Sequence, residues 1–197
     1  MIKKFFALIA ILIFIMPFSA FAEDDYFPKW TEEEINRTFH VYNGLMEVLT
    51  NLGNDILKRE KPLREFKLKS EEREISFRQS QVYNRVCVRG KTIVIGSAEK
   101  DKKFESGIVT TCDPAVDFDG VHVGANISVL EKLLGTTYTE DDMYICLNPP
   151  VTTLTYVYVS CSNRTITMLE LYFERLYASE RAKRFFDRKC EELGMGE

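Results

Sequence analysis

The stretch that decides the fold is Val121-His-Val-Gly-Ala-Asn-Ile-Ser-Val-Leu-Glu-Lys-Leu-Leu-Gly135. Its first residues are typical of the end of a strand, and Gly124 supplies the turn that follows. Asn126 is predicted to cap a two-turn helix over 126–134, with Gly135 as the left-handed C-cap. Capping and packing explain the segment, which makes it a structural signature without chemistry of its own.

The chain beyond this helix predicts antiparallel strands and a last helix. Three β-rich runs are separated by turn signals, and they are Met143–Leu147, Thr152–Cys161 and Thr165–Phe173. Ser179 is a suitable cap for the last helix, and Gly194 lies past its end. The short helix over 126–134 is expected to cover the sheet that these strands form.

The chain before this stretch begins with a long amphipathic helix. Thr31 and Glu34 form a capping box, and Pro62 stops the helix, which is predicted over 32–60. Its apolar stripe is Ile35, Phe39, Tyr42, Met46, Leu49 and Ile56, interrupted by Gly53. The helix either packs on the sheet or serves as an arm that pairs with a partner.

Between this helix and the opening stretch the pattern changes to strands. Apolar residues alternate with charged ones around Phe66 and around Ile75 and Phe77, and Arg89-Gly90-Lys91 predicts a hairpin turn. Gly107–Cys112 is a further strand candidate. The predicted class is therefore α+β, with a long N-terminal amphipathic helix, an antiparallel sheet covered by the short helix 126–134, and a C-terminal helix.

Residues 1–22 have the pattern of a secretory signal peptide. Lys3 and Lys4 precede an apolar run, and Ala20-Phe-Ala22 forms the cleavage motif. We therefore expect 1–22 to be removed, leaving a helical segment 23–62 and an α+β domain 63–197 that together form one compact domain. The net charge of −4 disfavours nucleic acid as a partner. The expected location is secreted and periplasmic, without a stable membrane anchor after cleavage.

Five cysteines follow the signal segment, none of them in a C-x-x-C pair. In an oxidising compartment they are candidates for structural disulfides, chiefly Cys87, Cys112, Cys146 and Cys161, with free buried thiols as the alternative. Metal chemistry has one weak candidate. Asp113, Asp117 and Asp119 share one loop and could ligate calcium, but the EF-hand spacing is absent and no Glu closes the loop, so ordinary Asx turns are the preferred explanation. No cofactor is expected.

Catalytic motifs for nucleotide, zinc or serine-hydrolase chemistry do not occur in this sequence. The one conceivable nucleophile and base are Cys112 and His122. His122 alternates with two valines, so it is expected to face away from the core. His40 lies beside the apolar stripe of the first helix as a boundary residue.

The segment Gly120–Gly135 resembles a module that is common in secreted bacterial proteins. It is similar to the helix-plus-sheet unit of the SmpA/OmlA outer-membrane lipoproteins and of the β-lactamase inhibitor proteins, over residues 107–173. The resemblance implies a role exercised through protein contacts, without catalytic residues. The lipobox of the envelope lipoproteins is missing, and residues 30–95 match nothing in the module.

These observations favour a secreted or periplasmic, non-catalytic protein that acts by binding another envelope or secreted protein, or a ligand. An inhibitor or immunity-type protein that blocks a specific enzyme is the alternative, and a small secreted hydrolase is a further one. An exposed apolar or aromatic patch without a buried titratable cluster would favour binding, whereas a deep pocket that holds polar groups from several elements would favour an enzyme.

Overall fold

The computed structural model describes residues 31–68, 81–138, 144–147, 155–173 and 178–195. The chain divides into a unit Met1–Thr31 and a unit Glu32–Glu197, and the elements below belong to the second. The described residues form three helices, α1 Glu32–Arg59, α2 Ser128–Leu134 and α3 Glu180–Glu192. They also form nine strands, β1 Arg64–Lys67, β2 Val82–Arg89, β3 Thr92–Glu99, β4 Glu105–Thr111, β5 Asp117–Phe118, β6 Val121–His122, β7 Tyr144–Leu147, β8 Thr155–Ser162 and β9 Thr165–Phe173.

Seven strands make one antiparallel sheet in the order β1-β2-β3-β4-β9-β8-β7, and β5 pairs with β6 separately. The predicted α+β class and the hairpin at Gly90 are confirmed, since Arg89 pairs with Thr92 across a two-residue turn. The β8–β9 turn is equally tight. Asn163 and Arg164 have φ values of 49° and 59°, the left-handed angles that two-residue hairpins require.

Helix α1 packs on one face of the sheet, so it lies within the domain, one of the two arrangements that its pattern allowed. Three acidic residues in its first turn and two basic ones in its last complement the helix dipole. Its buried residues are Thr38, Val41, Tyr42, Leu45, Leu49, Gly53, Ile56 and Leu57. The buried face of α1 is therefore rotated slightly from the predicted stripe, because Val41 and Leu45 are buried while Ile35 and Phe39 are only partly covered.

Gly53 marks the closest approach of α1 to the sheet. A Cβ atom added there would lie 2.6 Å from Val109 Cγ2 and 2.7 Å from Ser106 Cβ. The glycine that interrupts the apolar stripe is thus itself buried, and its missing side chain sets the distance between the helix and β4. The backbone N–H of Ser106 donates a hydrogen bond to Asn54 Oδ1 at 2.9 Å, which fixes the helix at the same point.

Helix α3 covers part of the opposite face. Ser179 is its N-cap, as predicted, and its side chain accepts a hydrogen bond from the backbone N–H of Ala182 at 3.1 Å. The backbone N–H of Ser179 donates to the side-chain oxygen of buried Asn84 on β2 at 2.8 Å. Ala182 and Phe186 pack against the β1–β4 side of the sheet in a second apolar cluster. Leu193, which follows the last residue of α3, is 37% exposed.

The start of the short helix predicted over 126–134 lies later in the structure. Helix α2 begins at Ser128 instead of 126, while the side chain of Asn126 accepts a hydrogen bond from the backbone N–H of Ser128 at 2.9 Å, as a capping asparagine does. The reason is that the backbone of residues 124–127 runs along β9, with Gly124 N–H bonded to Ile166 O and Ile127 N–H to Arg164 O. That pairing holds Asn126 in an extended bridge to Thr165, so the helix starts later.

Gly124 and Gly135 have φ values of 93° and 72°, both left-handed, and Gly135 follows the last residue of α2. Several expectations lie outside the described residues: the signal segment 1–22, the strand around Ile75 and Phe77, and residues 143 and 152–154. Within the described part of the chain, no helix combines the length and the apolar character that a membrane span requires.

Candidate functional site

The two faces of the sheet differ in what covers them. The face under α1 and α2 is mainly apolar, whereas α3 on the other face contacts β1, β2 and β3. Beyond α3 that second face continues over β4, β9, β8 and β7 and carries aromatic and polar side chains. We call it the tyrosine face and define it by Thr110, Tyr144, Cys146, Tyr156, Tyr158, Glu170 and Tyr172.

Strand alternation and register bring these side chains together. Tyr156 and Tyr158 alternate with Val157 and Val159, which are buried under α1, so the tyrosines lie on the opposite face. One lateral row crosses four strands and consists of Thr110, Glu170, Tyr158 and Cys146. Neighbouring side chains in such a row lie about 5 Å apart at Cβ, close enough to contact.

Glu170 is the chemically unusual member of this row. Its carboxylate accepts a hydrogen bond from Thr110 Oγ1 at 2.7 Å. Within the described ranges no Lys, Arg or His nitrogen lies within 4.0 Å of it. Burial raises the pKa of Glu170, and the nearby carboxylate of Asp187 raises it further against the effect of the Thr110 hydrogen bond. The site therefore holds a partly buried acid that has no counter-charge among the residues that the structure describes.

The tyrosines form a rim beside this acid. Tyr144 is 54% exposed and packs against Tyr158, with ring centroids 5.3 Å apart. Tyr156 stacks on Tyr158 at 6.1 Å with an interplanar angle of 15°. Burial and the adjacent Cys146 raise the pKa of Tyr158 to about 12, so it is a neutral phenol at physiological pH. The rim thus offers flat aromatic surface together with hydroxyl groups.

The three aspartates considered for calcium do not converge. Asp113 and Asp117 accept backbone hydrogen bonds from Ala115 and Gly120, which is ordinary turn chemistry. Asp119 lies 3.1 Å from His40 Nε2 instead. Across the part of the chain that the structure describes, no group of three or more His, Cys, Asp or Glu side chains is arranged to hold a metal ion.

Cys112 and His122 lie on different sides of the sheet. Cys112 packs against the second apolar cluster, on the side of α3. His122 lies between Val121 and Val123, which pack in the first cluster, and its Nδ1 is 2.9 Å from the Val123 carbonyl oxygen. Burial also raises the pKa of the Cys112 thiol, the opposite of what a nucleophile needs. The structure therefore does not assemble this dyad.

The four cysteines considered for disulfides are free thiols, as is Cys190. Cys87 and Cys161 face the same cluster, but their strands β2 and β8 are four places apart in the sheet, about 19 Å at the usual spacing. Cys146 pairs across from Tyr158 on the other face, so it cannot reach Cys161. The order of the strands in the sheet keeps these cysteines apart, and that order could not be predicted from the sequence.

A shallow depression of about 570 Å³ lies at the start of α1. Glu32, Asn36, Arg37, His40 and Leu133 line it, and it is open to solvent. The His40–Asp119 pair beside it has both side chains more than half exposed. Exposed pairs of this kind contribute little energy, and the lining shows no convergent set of polar groups, so this depression carries no assignment.

Sequence reasoning missed the tyrosine face, although part of its signal was present. The run Thr155-Tyr-Val-Tyr-Val159 was identified as a strand, and its strict alternation already places two tyrosines opposite two valines. Glu170 stands alone between Leu169 and Leu171, a single acid in an apolar strand. The missing information is the register that sets Glu170 beside Tyr158.

Comparison with known proteins adds no relative to this description. No protein-family model matches the chain, and no curated protein or solved structure shows significant similarity to it. The resemblance to the outer-membrane lipoprotein and β-lactamase inhibitor modules therefore stays an expectation from the sequence.

Proposed function

We propose that this chain is a non-catalytic binding protein of the cell envelope, exported by its N-terminal signal segment, and that it binds another protein through the tyrosine face. The observation that carries the proposal is Glu170, a partly buried carboxylate without a neighbouring cation among the described residues, set beside an exposed tyrosine rim. The envelope location rests on the pattern of residues 1–22.

The chemistry of the face indicates the kind of partner. Tyrosine supplies a large contact area at a low cost in conformational entropy, and it is enriched in protein interfaces. An arginine of the partner would stack on a tyrosine ring and donate two hydrogen bonds to one carboxylate. Glu170 next to Tyr158 and Tyr144 offers both interactions, so we infer that the partner inserts a basic side chain, most favourably arginine, beside Glu170.

The electrostatics of the face support binding over catalysis. Burial raises the pKa of Cys146 and of Tyr144 as well as that of Tyr158. These groups are therefore protonated at neutral pH, and they are weak as nucleophiles or bases. A nucleophilic thiol or phenol would need the reverse shift.

The test removes the charge of Glu170 without changing its shape. Wild-type protein, Glu170→Gln and Tyr144→Ala are immobilised, and the proteins retained from an envelope extract are compared by quantitative mass spectrometry. Glu47→Gln is the matched control, because it makes the same charge change at an exposed position of α1. We expect one protein that wild type and Glu47→Gln retain and that both face variants lose. If Glu170→Gln retains every protein that wild type retains, or if wild type retains none specifically, the proposal fails.

Stability provides the check that lost binding is not lost folding. A folded pKa above the ordinary value of 4.5 means that ionisation of Glu170 opposes folding, so this residue makes the protein less stable as pH rises from 4.5 through the raised pKa. Glu170→Gln keeps an acceptor for Thr110 and removes the charge. We expect it to be at least as stable as wild type at pH 7, so a loss of binding would report on the site itself. A marked fall in its melting temperature would show instead that Glu170 has a structural role.

A further inference from the structure

Cys112 and Cys190 lie on the α3 side of the sheet, outside the aromatic rim of the tyrosine face. Cys112 follows β4, two residues after Thr110, and its backbone N–H donates to Lys91 O at 2.9 Å on the neighbouring strand. Cys190 is in the last turns of α3. Both side chains are partly buried, and both pack against the second apolar cluster between α3 and the sheet.

The spacing along α3 directs Cys190 towards the sheet. Ala182, Phe186 and Cys190 follow one another at four-residue intervals, and the first two are buried against the strands. Residues at this spacing share one helix face. The sheet presents Ile108, Thr110 and Cys112 at alternate positions on the facing side. The helical period therefore places Cys190, and the alternation of the strand places Cys112, in the layer between α3 and the sheet.

The electrostatics are consistent with proximity. Burial is the main cause that raises the pKa of Cys190 to about 12, and charges on Glu170, Asp187 and Cys112 raise it further. Cys112 therefore lies within electrostatic reach of Cys190. The other three cysteines are set apart: Cys87 and Cys161 face the opposite cluster, and Cys146 is on β7, three places from β4 in the sheet order.

We propose that Cys112 and Cys190 are a disulfide-forming pair that ties α3 to the end of β4 when the chain is oxidised. The oxidant is a disulfide, either a small-molecule one such as oxidised glutathione or one carried by a thiol oxidase. One protein thiolate attacks the oxidant's S–S bond, forms a mixed disulfide and releases one thiolate. The second protein thiolate attacks the mixed disulfide, which forms the Cys112–Cys190 bond and releases the other. Two electrons pass to the oxidant, and the two thiol protons end on its two sulfur atoms.

The raised pKa values determine when this bond forms. In the folded state both thiols are almost fully protonated at pH 7, and the thiolate is the reactive species. Oxidation is therefore slow once α3 has packed and faster while the chain is still folding. Formed at that stage, the bond closes a long loop and restricts the unfolded chain, which stabilises the folded state.

The experiment is oxidative refolding of the full chain. Unfolded, reduced protein is refolded with reduced and oxidised glutathione, remaining thiols are blocked with iodoacetamide, and the digest is mapped without reduction. We expect a linked peptide pair containing Cys112 and Cys190, with the other three cysteines alkylated. The oxidised protein should also unfold at higher urea concentration than the same sample after dithiothreitol. Cys161→Ser should keep both results, whereas Cys112→Ser and Cys190→Ser should lose the linked peptide and the shift.

Alkylation of all five cysteines after refolding, or a bond from Cys112 or Cys190 to another cysteine, would overturn the proposal. So would a linked pair whose reduction leaves the urea midpoint unchanged, since the bond would then not fasten α3. Peptide mapping on the wild-type chain decides the first two points even if the serine variants fold poorly. None of these readouts depends on a binding partner, so the outcome is independent of the function proposed for the tyrosine face.

Discussion

Replacing Gly53 with alanine tests what holds α1 against the sheet. A glycine in the interior of a helix costs about 1 kcal/mol relative to alanine, so at an exposed position the replacement would stabilise the protein by about that amount. At Gly53 the new Cβ would lie 2.6 Å from Val109 Cγ2 and 2.7 Å from Ser106 Cβ, well inside the 3.4 Å at which ordinary contact begins. The sign of the change in the free energy of unfolding therefore shows whether the gain in helix propensity or the steric clash with β4 is larger.

The magnitude follows from what must move. Ser106 Cβ is attached directly to the backbone of β4 and cannot rotate away, so the helix itself has to lift. Overpacking of a core by one carbon costs about 1–3 kcal/mol. After the gain in helix propensity, we expect a net loss of about 1 kcal/mol, which for a domain of this size lowers the melting temperature by about 2–4 °C.

Calorimetry or thermal denaturation followed by circular dichroism would measure this shift. Asn51→Ala is the control, because Asn51 is an exposed residue of the same helix and its replacement should be neutral or slightly stabilising. A melting temperature of Gly53→Ala above that of wild type would refute the argument, since it would mean that the close approach of helix and strand costs nothing to relieve.

Two further predictions concern the stretch that follows β6. Gly135 has φ = 72°, so Gly135→Val should destabilise the protein by about 1–2 kcal/mol. Gly135→Asn should cost less, because asparagine tolerates that angle. Equal melting temperatures for the valine variant and wild type would contradict the assignment of Gly135 as a left-handed C-cap. Hydrogen bonds from the backbone N–H of Tyr138 and, to a smaller extent, from the Arg164 side chain lower the pKa of Glu131 below 4.5. The contribution of Glu131 to stability is therefore present above pH 4.5 and is lost as pH falls through the lowered pKa. Urea titrations should therefore show Glu131→Gln less stable than wild type at pH 7 and converging with it in acid; a constant difference across pH would show that charge is not involved.

Local signals in the sequence were sufficient for most elements. Pro62 and the basic residues before it end α1 close to the predicted place, Gly90 turns the β2–β3 hairpin, and Ser179 caps α3. Each of these depends on residues within one or two turns of the chain. The exact run of β9, Thr165–Phe173, was also predicted, because turn residues mark its start.

What the sequence could not predict depends on residues that are distant along the chain. The helix predicted from residue 126 starts at Ser128, because the backbone of residues 124–127 pairs with the start of β9. Gly53 looked like a flaw in the stripe, because its partner atoms on β4 belong to another element. The candidate site has the same origin, since Glu170 and Tyr158 become neighbours only through the order and register of the sheet.

The strongest argument for a functional tyrosine face is the comparison of the sheet's two sides. On the α1 side strands β2, β3, β4, β9, β8 and β7 contribute apolar residues, and a helix covers them, which is how an antiparallel sheet gains its stability. On the other side α3 completes an apolar cluster near β1–β4, and the sheet then continues as tyrosines around a carboxylate whose burial opposes folding. Folding alone would be served better by a neutral side chain at position 170. A group that costs stability, lies at a partly exposed aromatic rim and has no described cation beside it fits the proposal that a partner supplies the opposite charge.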